Sequence, residues 1–284
     1  MAGTLFVVAT PIGNLEDISA RALRVLREVS VIAAEDTRHT GHLLQRFGVA
    51  TRTTSFHEHS VKGKAAALVD RLKQGESIAL VSDAGTPTVS DPGVHLINLA
   101  RQAGVRVETV PGPAAVTAAL SIAGFDGNEF TFLGFPPTKG TARKAWFERL
   151  AAARNVTPLA VFYEAPHRLQ ATLDEVGRRF QNPTVAVARE LTKIHEEVRI
   201  GAIHELGVFP DRGEYTVVID FGHKPAIAAS EQQLTAAGLA REFGEVTKNG
   251  GLTRRQAIAS LSRKYGLQAR AVYSMLEQAK DSPV

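Results

Sequence analysis

Short apolar runs and helical stripes alternate through the first part of the chain. Strand-like runs lie at 5–9, 31–34, 78–81 and 105–110, with a weaker one at 53–56. Between them Ile18, Ala22, Leu23, Leu26 and Val29 recur at three- and four-residue steps, as on one face of a helix. Ala65, Leu68, Val69 and Leu72 repeat that spacing, and so do Val94, Ile97 and Ala100. Strands with no polar face, each followed by a helix, predict a parallel sheet covered on both sides.

Near residues 124–128 the pattern restarts. Strand-like runs at 130–132 and 159–163 are separated by a helix through 145–153, and runs at 184–189, 196–200 and 215–221 follow with fewer helices between them. That predicts a second, mixed sheet. From residue 230 the pattern is helical, broken by Asn249-Gly250-Gly251 and again at Gly266, with a cap signal at Thr253. The spacing is compatible with a helix-turn-helix-like unit, and equally with plain helical packing. The expected divisions are therefore 1–112, a parallel α/β domain; 113–225, a mixed-sheet α/β domain; and 226–284, a small helical domain.

Composition changes this picture little. The hydrophobic share of 44% and charged share of 22% are those of an ordinary soluble globular protein. With no cysteine, disulfides, thiolate zinc sites and a cysteine nucleophile are excluded, which suits a reducing cytoplasm. The first residues lack a basic start, and no window approaches the roughly 18 uninterrupted apolar residues of a membrane span. Charge is unevenly placed: from residue 231 on, eight Lys/Arg stand against five Asp/Glu, which accounts for most of the net +4. A basic end suits a phosphate-rich partner.

The unusual residues fall where the first five strands end. There the chain reads Thr10-Pro11-Ile12-Gly13-Asn14, Glu35-Asp36-Thr37-Arg38, His57-Glu58-His59, "SDAGTPTVSDPG" at 82–93 and Pro111-Gly112-Pro113-Ala114-Ala115. In an open parallel sheet, ligands bind beyond the carboxyl ends of the strands. There is no Gly-x-Gly and no P-loop, so neither nucleotide fingerprint is present. His57 with His59, and His195-Glu196-Glu197, lack the third ligand or the helical spacing of a metal site, and no metal is expected. What remains is a rim of small residues and backbone groups on which a zwitterionic, partly aromatic ligand can lie.

Six stretches in order, "ATPIGNLEDISARAL" (9–23), "AAEDTRHTGHLL" (33–44), "SDAGTPTVSDPG" (82–93), "PGPAAVTAAL" (111–120), "YEAPHRL" (163–169) and "RELTKIHEE" (189–197), closely resemble one family. It is the bacterial 16S ribosomal RNA 2′-O-methyltransferases that act on a cytidine of the decoding centre of the small subunit, within the tetrapyrrole-methylase superfamily. The resemblance implies a two-domain, non-Rossmann α/β methylase with a helical C-terminal domain, S-adenosylmethionine in the cleft, and a homodimer. Carried over, Pro11 sits at the first-strand loop, and Ser82, Asp83, Ala84, Gly85, Thr86 and Val89 cradle the cofactor. Ala114 and Ala115 approach it, while Phe162, Tyr163, Glu164 and Thr216 close over the adenosine. Asp83 is expected to balance the cofactor's cationic charge, and Asp91 to cap a helix. The family's usual serines are replaced by Ala114 and Ala165. An arginine it places after the first proline of 135–144 is missing, although Lys139, Arg143 and Lys144 keep that segment basic.

Activating a ribose hydroxyl needs a base in reach. The candidates are Glu35, Asp36, His57, Glu58, Lys193 and His195, with Glu35, Asp36 and Lys193 foremost; Asp36 with Arg38 reads equally as an ion pair. Arg38, Arg168, Arg189 and Lys193 are the expected RNA contacts. Tyr163 and Trp146 are the only evident stacking surfaces, which favours an assembled particle over bare single strands. The competing readings are a tetrapyrrole or precorrin C-methylase and a non-catalytic ribosome-binding factor.

Overall fold

The computed structural model describes residues 2–57, 61–222, 236–248, 253–265 and 269–279. The chain forms two compact units, Met1–Gly222 and His223–Val284. In the first unit, β1 (Thr4–Val8), β2 (Val31–Ala34), β3 (Thr53–Ser55), β4 (Ile78–Val81) and β5 (Arg106–Val110) form one sheet in the order β3-β2-β4-β1-β5. Every pairing in it is parallel. The central strands β2 and β4 are apolar and buried throughout because both faces are covered. Ile32, Ala34, Ala79 and Val81 meet α1 (Ala20–Glu28) and α2 (Thr37–Arg46) on one side. Val31, Ala33, Ile78 and Leu80 meet α3 (Val61–Lys73) and α4 (Val94–Gln102) on the other.

The chain then forms α5 (Ala115–Ala123) and a second sheet of β6 (Phe130–Phe132), β7 (Leu159–Glu164), β8 (Thr184–Arg189), β9 (Glu197–Ala202) and β10 (Tyr215–Asp220), ordered β6-β7-β10-β8-β9. Only β6 and β7 run parallel. One face carries α6 (Gly140–Ala153) and α7 (Pro166–Phe180), the other α5. The run of few helices expected after residue 163 is interrupted by α7, whose stripe Leu169, Leu173, Val176 and Phe180 is buried and whose Pro166 occupies the first turn.

Trp146, expected as an exposed stacking surface, is 0% exposed. Its ring meets Phe147 and Phe162 edge-on, and its Nε1 donates to the Leu133 carbonyl at 3.0 Å. A helix-period stripe buries its largest member, and the indole N–H finds a partner there.

The second unit holds α8 (Ala236–Lys248), α9 (Arg254–Tyr265) and α10 (Ala269–Gln278) around buried Leu239, Leu261, Val272 and Leu276. The breaks expected at 249–251 and at Gly266 lie outside the described residues. Thr253 and Gln256 form a reciprocal cap: Gln256 N–H donates to Thr253 Oγ1 at 3.4 Å, and Thr253 N–H to Gln256 Oε1 at 3.0 Å. Thr253→Ala removes one of these and is expected to cost this unit about 1 kcal/mol. Urea unfolding of the full chain, followed by circular dichroism, checks this; an unchanged midpoint for the helical transition would refute it. Among the described residues no helix is long and apolar enough to cross a membrane.

Candidate active site

The loops after the parallel strands meet at one edge of the first sheet. Thr10 and Gly85 exchange two backbone hydrogen bonds, of 2.8 and 3.0 Å, in an antiparallel bridge that ties the loops after β1 and β4 together. Asp36 N–H donates to Asp83 Oδ1 at 2.9 Å, and Thr86 Oγ1 donates to the Pro113 carbonyl at 3.1 Å. Between 85 and 93 the backbone turns sharply: Gly85, Thr88, Ser90 and Gly93 have φ of 77°, 74°, 68° and 136°. Thr88 and Ser90 pay for this left-handed backbone with strain of a kind that clusters at ligand sites.

Two adjoining hollows open on this edge, sharing Ile12, Ala84 and Glu214. The first, of about 240 Å³, is lined by Gly85, Thr86, Val89, Asp91, Ala114, Ala115, Tyr163, Glu164 and Thr216 among others, and by no lysine, arginine or histidine. The second, of about 260 Å³, is lined by Pro11, Gly13, His39, His42, Ser82, Asp83 and Lys193 among others. Each wall draws on both sheets. In the first, the first sheet's loops and the Pro-Gly-Pro turn supply one side and β7 with β10 the other; in the second, Lys193 and Glu214 face the first sheet's loops. In that pair Thr216 lies opposite Tyr163. Burial pushes the Tyr163 hydroxyl up to about 12, and the Asp91 carboxylate adds to the effect.

Alternation along β7 separates two neighbours that the resemblance placed together. Tyr163 faces the hollow, while Phe162 is 0% exposed and packs with Trp146 on the opposite face, so it cannot touch a ligand there. Glu164 lines the hollow at the end of the strand, but its carboxylate is engaged elsewhere. Arg168 Nη2 approaches Oε1 at 2.6 Å, Ala165 N–H donates to Oε1 at 2.9 Å, and Thr172 Oγ1 donates to Oε2 at 2.6 Å. Glu164 therefore anchors the start of α7 through the Ala165 N–H, Arg168 and Thr172.

The base candidates are differently placed. Asp36 caps α2 and pairs with Arg38, whose hydrogen bonds hold the carboxylate well below its usual range, leaving it a feeble base. Burial works against the Lys193 charge. Hydrogen bonds to Glu214 (2.8 Å) and Glu190 (2.9 Å) prevail and keep its ammonium above the usual lysine value, so it is protonated at neutral pH. Glu35 directly follows β2, and His195 is exposed on the loop after β8. Glu58 and His59 lie outside the described residues. Sequence reasoning passed over His39 and His42, which stand three residues apart on α2 and line the second hollow. Their spacing at the first turns of a helix leaving the rim was the available signal.

The arginines divide. Arg38 is 88% exposed at the rim. Arg168 is 19% exposed and its other Nη donates to the Pro136 carbonyl at 3.2 Å. Arg189 is 11% exposed, with Nε donating to the Arg212 carbonyl at 3.1 Å and Nη1 3.6 Å from Glu197. Both serve the protein interior rather than a phosphate. Arg143 likewise turns inward, to the Pro137 carbonyl (3.1 Å) and Thr172 (2.8 Å), whereas Lys139 and Lys144 are exposed. Among the described residues no cluster of His, Cys, Asp and Glu could hold a metal ion.

Residues 4–207 match the family model of the tetrapyrrole (corrin/porphyrin) methylases. Proteins named ribosomal RNA small subunit methyltransferase I are similar along almost the whole chain. The one from Vibrio cholerae is 43% identical, covering 96% of this chain and 93% of its own, and that of Escherichia coli O157:H7 is 40% identical, covering 97% and 96%. The chain belongs to the ribosomal RNA small subunit methyltransferase I family of tetrapyrrole methylases.

Solved structures share the family's fold at low identity. Uroporphyrin-III-C-methyltransferase from Thermus thermophilus superposes with a TM-score of 0.54 at 20% identity, over 77% of this chain and 94% of that one. Diphthine synthase gives 0.60 at 15% identity, over 76% and 89%. Methylases of this family use S-adenosylmethionine, and the hollows fit it. Their lining of Ala84, Gly85, Ala114 and Ala115 leaves backbone within reach of a ligand, and Asp83 and Asp91 offer negative charge. A first hollow without a basic side chain suits a sulfonium and disfavours a phosphate. Asp91 does not cap a helix: Gly93 occupies the cap position of α4, with no side-chain hydrogen bond there.

Proposed function

We propose that this protein transfers the methyl group of S-adenosylmethionine to the ribose 2′-hydroxyl of a cytidine in 16S ribosomal RNA, acting on the small ribosomal subunit. The observation that carries this reading is the pair of joined hollows, one free of basic residues for the cofactor and one faced by Lys193, His39 and His42 for the acceptor. In the same reading, residues 1–112 hold the cofactor and 113–225 close over it. Residues 226–284 form a helical unit near the RNA, and the working enzyme is a cytoplasmic homodimer.

When bound, the cofactor supplies an electrophilic methyl carbon. The residues of the chain hold, orient and shield. Ala84, Gly85, Thr86 and Val89 with Ala114 and Ala115 form the floor of the first hollow and Tyr163 and Thr216 its wall, while Pro11, Ser82 and Asp83 line the adjoining second hollow. Orientation supplies most of the acceleration of an in-line displacement. The hydroxyl proton leaves through the second hollow, which His39 and His42 line; the ion-paired Asp36 and the protonated Lys193 are poorly placed to accept it. Glu35 remains the carboxylate candidate.

The deciding experiment is transfer of labelled methyl to small subunits from cells lacking the enzyme, beside naked ribosomal RNA and uroporphyrinogen. Alkali-resistant label at a cytidine ribose supports the reading; label in the tetrapyrrole replaces it with small-molecule methylation. Arg38, the exposed cation at the rim, is expected to meet RNA phosphate. Arg38→Gln should weaken binding to subunits and make its salt dependence shallower by about one unit of log–log slope, with cofactor affinity unchanged. An unaltered salt slope rules out a phosphate contact by Arg38.

A further inference from the structure

The loop 85–93 spends two left-handed non-glycine residues, Thr88 and Ser90, immediately before Asp91. The result is a half-buried carboxylate in the wall of the first hollow, facing the same space as Tyr163 of the second sheet. No described lysine or arginine forms an ion pair with Asp91, and it caps no helix. Its neighbours in charge are another acid and a phenol: Asp83 repels it, and its own charge is felt by Tyr163. Desolvation, opposed only by the Ser82 hydroxyl, raises its proton affinity above the usual aspartate value. A carboxylate kept out of water without a cation is costly unless the cation arrives with a ligand.

We infer that Asp91 is the counter-charge for the positive charge of S-adenosylmethionine, a cofactor-binding residue in the wall of the first hollow. The inference rests on the proposed cofactor. It differs from the role expected for Asp83, whose Oδ1 already accepts the Asp36 N–H. The charge, rather than the adenosine, is what Asp91 recognises.

Calorimetric titration of the full-length protein separates these ideas. S-adenosylmethionine is compared with 5′-methylthioadenosine, which keeps the adenosine and thioether but carries neither sulfonium nor ammonium. Asp91→Asn should weaken S-adenosylmethionine by tenfold or more and change methylthioadenosine by less than about threefold, with Asp91→Glu recovering part of the loss. Equal losses for both ligands, or none for either, would overturn the inference, since a merely structural aspartate has no reason to prefer the charged ligand. Thermal unfolding of each variant shows that the comparison is made on folded protein. Failure of the unaltered protein to bind S-adenosylmethionine would instead defeat the proposed function, and Asp91's role with it.

Discussion

Glu164→Gln should lower the melting temperature of the first unit by on the order of 10 °C. The carboxylate is fully buried and faces two guanidiniums, Arg168 at 2.6 Å and Arg143 at 3.9 Å, which are themselves only 19% and 20% exposed. Together they fasten the end of β7, the first turn of α7 and the carbonyls of Pro136 and Pro137. A neutral amide keeps the shape and removes the charge, so both arginines stay desolvated with no anion. Removing one partner of a buried pair costs about 3–5 kcal/mol. At roughly 2–4 °C per kcal/mol for a unit of this size, that gives the shift stated. Scanning calorimetry on the full chain measures it. A shift below about 2 °C would mean that the arginines swing into water at little cost, and that the cluster is not what holds α7 in place.

Gly13→Ala should reduce methyl transfer about a hundredfold while leaving the fold standing. A β-carbon on residue 13 would lie 2.5 Å from Lys193 Cγ, 2.7 Å from Thr192 Oγ1 and 2.9 Å from the Leu191 carbonyl. The lysine can turn aside, but the carbonyl is backbone beside a buried leucine. The two loops are also tied by Asn14 N–H donating to Thr192 Oγ1 at 2.9 Å. The first-sheet loop must therefore retreat from the loop after β8 and carry Pro11 and Ile12, which line the second hollow, with it. A displacement of about 1 Å in positioning groups is enough for a hundredfold loss. Rates on small subunits, with cofactor affinity measured in parallel, test this. Activity within about threefold of the parent would show that the two loops need not touch.

The first sheet was plain in the sequence because burial on both faces leaves a signature that needs no partner to read. The mixed second sheet was legible too, but not the face of each residue. Phe162 and Tyr163 are neighbours that the resemblance placed together, and alternation along β7 sends the first into the core and the second into the hollow. Arg168 and Arg189 resembled phosphate ligands because an arginine looks the same in sequence whether it meets an anion of the substrate or Glu164 and Glu197 of its own chain. Asp91 before Pro92 has the composition of a helix cap. The positive φ of Gly93 moved the cap two residues on and freed the carboxylate for the cleft. Burial and the pairings made in the folded chain decide each case, and residue types alone do not show them.

The position of β10 has a consequence for biosynthesis. It is the last strand of its sheet to be made and lies between β7 and β8, hydrogen-bonded to each along its full length. The first sheet has all its strands once residue 110 has emerged, but the second keeps two apolar edges open until 220. A ribosome that stalls or terminates between them leaves β7 and β8 ready to pair with any other nascent strand. Premature termination in that interval should therefore send its product to aggregates or proteases, with no half-active methylase released.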